Sequence, residues 1–221
     1  MAISDRKKRE KKQRKESIID AAEMLFFTNG YDEVSINDIA LEVELNRATI
    51  YLYFENKEAL CFSVILRGMR ILKDMVKKYV DKRSDPIHKI NAIGSSYYMF
   101  FQRYPQYFKV YYNFQSGRFD LKHPWYDSSK YNNVRWDIEE ILKIQRDIFE
   151  ILHSSVKNYI KNNDSLDLDS LFTTIFIFST LDGMINPSPV IESELEDMKL
   201  NEYQNFNVIF LKFINKFLNN K

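Results

Sequence analysis

The chain has 221 residues, 45% hydrophobic and 15% aromatic with only five Gly and five Pro, which points to one or two well-packed helical bodies and argues against a β-rich fold. A formal charge of +1 is too small for a protein that grips nucleic acid indiscriminately over its whole surface. The single cysteine, Cys61, excludes an intrachain disulfide and reads as a buried structural thiol in a reducing, cytoplasmic setting.

The charge is unevenly placed. Residues 1–83 hold 17 Lys/Arg and 14 Asp/Glu, whereas the remainder holds 15 and 17, and most of the excess sits in the first sixteen residues. The run from Arg6 to Lys15 has no apolar face, so it reads as an arm that is disordered in the free protein. Alone it is a solubilising tail; ahead of a DNA-binding helix it is a phosphate-wrapping or groove-entering arm. It is not a secretory signal, because it lacks an apolar stretch.

Ile18, Ala22, Leu25 and Phe26 give the next helix its apolar stripe, and Asn29-Gly30 ends it in a left-handed cap. Ser35 then reads as an N-cap, with Asp38 positioned to complete a reciprocal capping box. Ile36, Ile39, Ala40 and Val43 follow on one face. Glu44-Leu45 makes a turn, and Asn46 caps a second helix running from Arg47 to Phe54 with Ile50 and Phe54 inward. Its outward side carries Arg47, Ala48, Thr49, Tyr51 and Tyr53, groups able to meet phosphate oxygens, base edges or a thymine methyl. This is a helix-turn-helix pattern whose second helix is the expected major-groove reader.

A long helix from Lys57 to about Lys82 carries Leu60, Val64, Met69, Leu72 and Val76 on its apolar side, and Ser84-Asp85-Pro86 stops it. Further helices are expected over Ile87–Arg103, Gln106–Phe114, Val134–Asn162, Leu168–Ile185 and Glu194–Leu218, with a loop over Gly117–Ser129 and a linker at residues 162–165. The Leu168–Ile185 stretch is apolar nearly all round, which indicates burial on several sides, and its most lipid-like part, Ser170 to Leu181 between Asp169 and Asp182, is too short to span a bilayer. The domain organisation read from this is a basic arm (1–16), a helix-turn-helix domain (17–62) and a helical body (63–221).

Three blocks carry a family resemblance: Ser35-Ile-Asn-Asp-Ile-Ala40, Asn46-Arg-Ala-Thr-Ile-Tyr-Leu-Tyr-Phe54 and Asn56-Lys-Glu-Ala-Leu60. From Ile18 to Leu60 the chain resembles the tetracycline-repressor (TetR) family; beyond that it is similar only in helical layout and length. The resemblance implies an all-α fold, with an N-terminal three-helix DNA-binding domain joined by a long helix to a C-terminal ligand-binding and dimerisation domain. It makes Ser35, Tyr51, Tyr53 and Lys57 expected phosphate contacts, and Arg47, Ala48 and Thr49 expected base-reading positions, with the Asn46 cap beside them. The family commonly has Gly where this chain has Glu44 and Ala48. A left-handed Glu44 costs on the order of 1 kcal/mol.

The resemblance also implies a homodimer through the last two helices, a double-stranded DNA operator with two-fold symmetry, and an effector pocket in the aromatic middle of the chain. Two-fold symmetry suits a single reading helix, since two copies reach successive major grooves about 34–36 Å apart. The apolar stripe Phe206, Ile209, Phe210, Phe213, Ile214 and Phe217 is too wide for one covered side. Tyr97, Phe101, Tyr104, Phe108, Tyr111, Tyr112, Trp125 and Phe178 are the candidate effector-binding residues. Core filling explains the Phe residues, whereas clustered Tyr hydroxyls need partners and suit a ligand-lined surface. A small apolar or aromatic effector follows, with a lipophilic cation or an acyl acid as open alternatives. Also open are control by a protein partner in place of an effector, and activation in place of repression.

No cofactor, metal or membrane is expected. His88, His123 and His153 are scattered, and the chain has no Gly-rich phosphate loop, Gly-flanked Ser nucleophile or zinc-type His-Glu pattern, so it does not read as an enzyme.

Overall fold

A computed structural model describes residues 2–113, 135–163, 168–185, 193 and 211–218. Their order is α1 (Ala2–Asn29), α2 (Ile36–Glu42), α3 (Arg47–Tyr51), α4 (Lys57–Val80), α5 (Pro86–Arg103), α6 (Pro105–Asn113), α7 (Arg135–Lys161) and α8 (Ser170–Ile185), followed by a helical segment, α9, over residues 211–218. Among the described residues there is no strand, and no helix is long and apolar enough to cross a membrane. The Gly117–Ser129 loop, with Trp125, and most of the expected Glu194–Leu218 helix lie outside the described residues.

Helix α1 begins well before the expected apolar stripe. The arm expected to be disordered is helical from Ala2 and continuous with the apolar part of the helix. Its residues explain this: Lys, Arg, Glu, Gln and Ala are all strong helix formers, and Arg6 pairs with Glu10 one turn on at 2.8 Å. Gly30, at φ 85°, ends the helix and donates its N–H to the Phe26 carbonyl at 3.1 Å.

The described residues form two compact units. The first takes Met1–Met69 with Tyr104–Leu142, so α6 and the start of α7 group with the helix-turn-helix, a wider unit than the expected 17–62. Its core is built from Ile18, Ala22 and Phe26 of α1, Ile39 of α2, Ile50 of α3, Phe54, and Leu60, Cys61 and Phe62 of α4, all buried. Each large apolar side chain removed from water there contributes roughly 1.5–3 kcal/mol.

Within that unit α1, α4 and α6 meet at one node. Arg67 of α4 reaches Glu16, Asp20 and Glu23 of α1 at 3.0, 2.7 and 2.8 Å. Burial opposes its charge, but the hydrogen bonds it donates to Asp20 and Glu23, with Glu16 adding less, outweigh that and hold its pKa above the ordinary arginine value. Tyr107 of α6 donates its hydroxyl to Glu23 at 2.7 Å and sets its ring edge-on against Phe27 at 4.9 Å. Burial, then the Glu23 carboxylate, push the Tyr107 phenol upward. The ring lies flush on Gly68, where an added Cβ would stand 2.7 Å from Tyr107 Cδ1.

The second unit takes Arg70–Arg103 with Lys143–Lys221. Asp85 caps α5, accepting the Ile87 N–H at 2.9 Å, and Pro86 stands at the first helical position, where its missing N–H costs nothing. Ile90, Ile93, Phe100, Ile144, Ile148, Leu152, Val156, Ile177 and Leu181 make the core. Lys73 of α4 pairs with Asp147 of α7 at 2.8 Å, and Asn91 of α5 donates to Asn215 of α9 at 3.0 Å.

The Leu168–Ile185 stretch, expected to be buried on several sides, is covered on one side within this chain. Leu171, Phe172, Ile175 and Phe176 of α8 are exposed on this chain, while Thr173, Thr174, Ile177 and Leu181 face inward. An apolar helix without periodicity gives no clue to its inner side, and that choice is made by the neighbouring α5, against which α8 packs.

Candidate nucleic-acid interface

The helix-turn-helix is assembled by local hydrogen bonds that the sequence dictates. Ser35 Oγ accepts the Asp38 N–H at 3.2 Å and Asp38 Oδ2 accepts the Ser35 N–H at 2.7 Å, a complete capping box. The Ser35 side chain first and its backbone N–H second hold the Asp38 carboxyl below the usual carboxylate value.

After the Val43 cap, Glu44 adopts φ 53°, the one left-handed non-Gly residue among those described. Glu44 N–H donates to Leu41 O at 3.1 Å and Leu45 N–H to Ala40 O at 2.8 Å, the paired bonds of a Schellman ending. The expected left-handed strain at Glu44 is therefore present. Asn46 Oδ1 next accepts from the Thr49 N–H at 2.8 Å and the Thr49 hydroxyl at 2.9 Å, starting α3.

The regular part of α3 is shorter than the expected Arg47–Phe54, ending at Tyr51. Leu52, Tyr53 and Phe54 continue as a turn, with Tyr53 and Phe54 N–H both donating to Ile50 O, at 2.9 and 3.0 Å. Ile50 and Phe54 are buried as expected. Asn46, Arg47, Ala48 and Tyr51 are exposed together on the opposite side, with Thr49 and Tyr53 half-buried beside them. Leu52, 77% exposed, belongs to the same surface and is an apolar group that the sequence reading did not single out.

Arg47 and Tyr51 act as a pair. The guanidinium donates to Tyr51 Oη from Nε at 3.1 Å and Nη2 at 2.8 Å, and sits 5.3 Å from the ring centre. The side chain is thus extended along the exposed face of α3, one turn from its own backbone.

Lys57 has a different position from the other expected phosphate contacts. Its Nζ donates to the carbonyls of Tyr31 and Val34 at 2.9 and 2.8 Å, with Asp32 at 3.4 Å, and lies 4.3 Å from the Tyr31 ring centre. An ammonium group has three donors, so Lys57 staples the loop that presents Ser35. Its partners are 23 to 26 residues away in sequence, beyond what local spacing reveals. Arg67 was also missed, although Glu16, Asp20 and Glu23 at i, i+4 and i+7 form a visible acidic stripe on α1.

The candidate effector residues divide between the units. Tyr97, Phe101 and Phe178 belong to the second, where the Phe178 ring stands edge-on to both Tyr97 and Phe149 at 5.9 Å, and Phe149 stacks on His153. Tyr104, Phe108, Tyr111 and Tyr112 belong to the first; Phe108 is buried and Tyr112 exposed. Among the described residues, no group of three His, Cys, Asp or Glu side chains could hold a metal.

Comparison with known proteins bears on this geometry. The family model for bacterial regulatory proteins of the tetR family matches residues 18–64, which contain α2, α3 and their caps. An HTH-type transcriptional regulator of Bacillus subtilis, YuxN, is 33% identical over 85 residues, covering 38% of this chain, and the chain spans only 25% of that relative's length. An HTH-type transcriptional regulator of Staphylococcus aureus is 25% identical over 171 residues, 77% of this chain and 84% of its own. The crystal structure of the regulator FadR of Bacillus subtilis, in complex with stearoyl-CoA, superposes with a TM-score of 0.61 over 89% of this chain and 95% of its own, at 21% identity.

Proposed function

The chain belongs to the TetR family of DNA-binding transcriptional regulators, and from that premise we propose that it is a repressor that binds a palindromic operator as a homodimer and is released by a small apolar effector. The observation that carries the DNA-binding half is the two-sidedness of α3. Ile50 and the following Phe54 are buried while Arg47, Ala48 and Tyr51 stand exposed together. Arg47 is the base reader in this reading, because a guanidinium can donate twice to guanine. Ala48 and Thr49 present methyl and hydroxyl groups to neighbouring bases. Ser35, Tyr51 and Tyr53 donate to phosphates on either side, Asn46 fixes where α3 begins, and Lys57 acts through the loop it staples.

The homodimer reading is supported by α8. Leu171, Phe172, Ile175 and Phe176 form an exposed apolar stripe, and Phe217 of α9 stands 5.8 Å from Phe176 and 6.2 Å from Phe213, extending it. Four large apolar side chains at that spacing are the composition of an interface core.

The effector reading is supported by the aromatic row Tyr97, Phe178 and Phe149 in the second unit, and by the acyl-CoA bound to FadR. An acyl chain or flat apolar molecule suits such a lining. Its bias between two states of the dimer is the energy that releases DNA, so a ligand binding both states equally releases nothing.

The test is selection from random duplex DNA followed by titration at fixed salt. The wild-type chain should enrich a palindrome, Tyr51→Ala should weaken binding to all sequences, and Arg47→Ala should also relax the preference at one base pair per half-site. Each loss is about 1–3 kcal/mol. Unchanged affinity and preference in both variants would remove α3 as the reading helix.

A further inference from the structure

We propose that the stretch of α1 ahead of its buried part is a second DNA contact, a basic helical rod that lies along the phosphates flanking the operator. The proposal rests on the DNA-binding reading above. From Asp5 to Lys15, eight Lys/Arg stand against two acids, and every residue from Asp5 to Arg14 is exposed. One of the acids, Glu10, is already paired with Arg6. The later acids of α1, Glu16, Asp20 and Glu23, are gathered by Arg67. The rod is therefore cationic on all sides.

Such a helix has no apolar face to bury, and Lys7 with Lys11, Lys8 with Lys12 and Lys11 with Lys15 stand four residues apart, the spacing at which like charges repel. A polyanion alongside removes that repulsion. Position selects DNA as the polyanion. Lys15 Nζ lies 5.4 Å from the ring centre of Phe54, the buried residue that closes the turn after α3. The rod thus begins beside the end of the reading helix. Its ten residues 5–14 extend about 15 Å at 1.5 Å per residue, the rise of roughly four base pairs. A lipid surface would require an apolar face beside the cations, and residues 5–15 have none. Because the segment is a helix roughly 10 Å or more across with side chains, it does not enter the minor groove, about 6 Å wide, as an extended arm would.

The experiment uses the full chain and the variant Lys7→Gln/Lys8→Gln/Lys11→Gln/Lys12→Gln, whose substitutions retain helix propensity, with far-UV circular dichroism confirming the fold. Two duplexes carry the selected palindrome, one ending at its edges and one extended by about ten base pairs, one helical turn, on each side. The wild-type chain should bind the extended duplex about tenfold more tightly than the short one, and the variant should bind both alike. On the extended duplex, the slope of log affinity against log salt should fall in the variant by about 0.9 for each phosphate contact removed. Equal flank gain and equal slope in the two proteins would overturn the proposal, as would a wild-type chain indifferent to the flanks, the result expected if the rod meets an acidic protein. A variant that loses the short duplex as severely as the long one would overturn it too, by placing these cations within the core site. Failure of the wild-type chain to enrich any duplex would remove the DNA-binding reading itself, and this inference with it.

Discussion

Gly68 offers a quantitative test of the node that joins α1, α4 and α6. In the middle of α4, Ala should be better than Gly by about 1 kcal/mol, because Gly loses more backbone freedom on folding. Here the added Cβ would meet Tyr107 Cδ1 at 2.7 Å, Cγ at 3.0 Å and Cβ at 3.1 Å. These are atoms at the base of the ring, so no rotation of a flexible tip relieves them. Tyr107 must retreat by several tenths of an ångström, which lengthens its 2.7 Å bond to Glu23 and loosens its contact with Phe27. Overpacking of this kind costs about 1–3 kcal/mol, so Gly68→Ala should destabilise the protein by about 1 kcal/mol net of the helix gain. Urea unfolding at one fixed protomer concentration measures this. The decisive comparison is a cycle with Tyr107→Ala: once the ring is gone, the two closest of these contacts disappear, and Gly68→Ala should become neutral or stabilising. An alanine at 68 that stabilises the wild-type background would refute the close approach.

Three further expectations concern the DNA face and the apolar stripe. Glu44→Gly relieves a left-handed residue inside a hydrogen-bonded turn and should raise stability by about 0.5–1 kcal/mol in the same urea assay; a loss would show that the Glu44 side chain contributes more than its backbone strain costs. Asp38 has a native pKa below its ordinary value, so its capping box is complete above the unfolded value and lost as pH falls through the native one. Asp38→Asn should therefore flatten the stability profile between about pH 5 and pH 3, and identical slopes in the two proteins would remove Asp38 as the titrating cap. Phe172, 70% exposed on α8, should convert a dimer to a monomer when changed to Glu, as read by sedimentation; a Phe172→Glu variant with the wild-type mass would place the dimer contact elsewhere.

What the sequence disclosed was what short spacings control. Ser35 with Asp38, Asn46 with Thr49, and the turn at Glu44 are each settled within a few residues, and all three were legible down to the strained backbone. The early start of α1 has no signature in apolar periodicity, because residues 6–15 lack an apolar face; it follows instead from the helix propensity of Lys, Arg and Glu. The bonds from Lys57 to the carbonyls of Tyr31 and Val34 were not legible, because these partners come into reach only through folding. The outer face of α8 was invisible for another reason: a helix in which Leu171, Phe172, Ile175 and Ile177 are all apolar carries no period from which to read an inside. The grouping of Tyr107 with Glu23, 84 residues apart, likewise has no local signature.

Cys61 has a practical consequence. The chain's one sulfhydryl is 1% exposed between Leu60 and Phe62 in the first turns of α4, in the interior of the DNA-binding unit. An alkylating reagent reaches it only through opening of that unit, so its labelling rate is a clock for local unfolding of the reading apparatus, with no probe introduced. The same inaccessibility leaves the native surface blank to thiol chemistry. A cysteine placed at an exposed site such as Asn37 could then carry a spin label alone, and in the proposed homodimer the distance between two such labels would report the separation of the reading helices with and without a candidate effector.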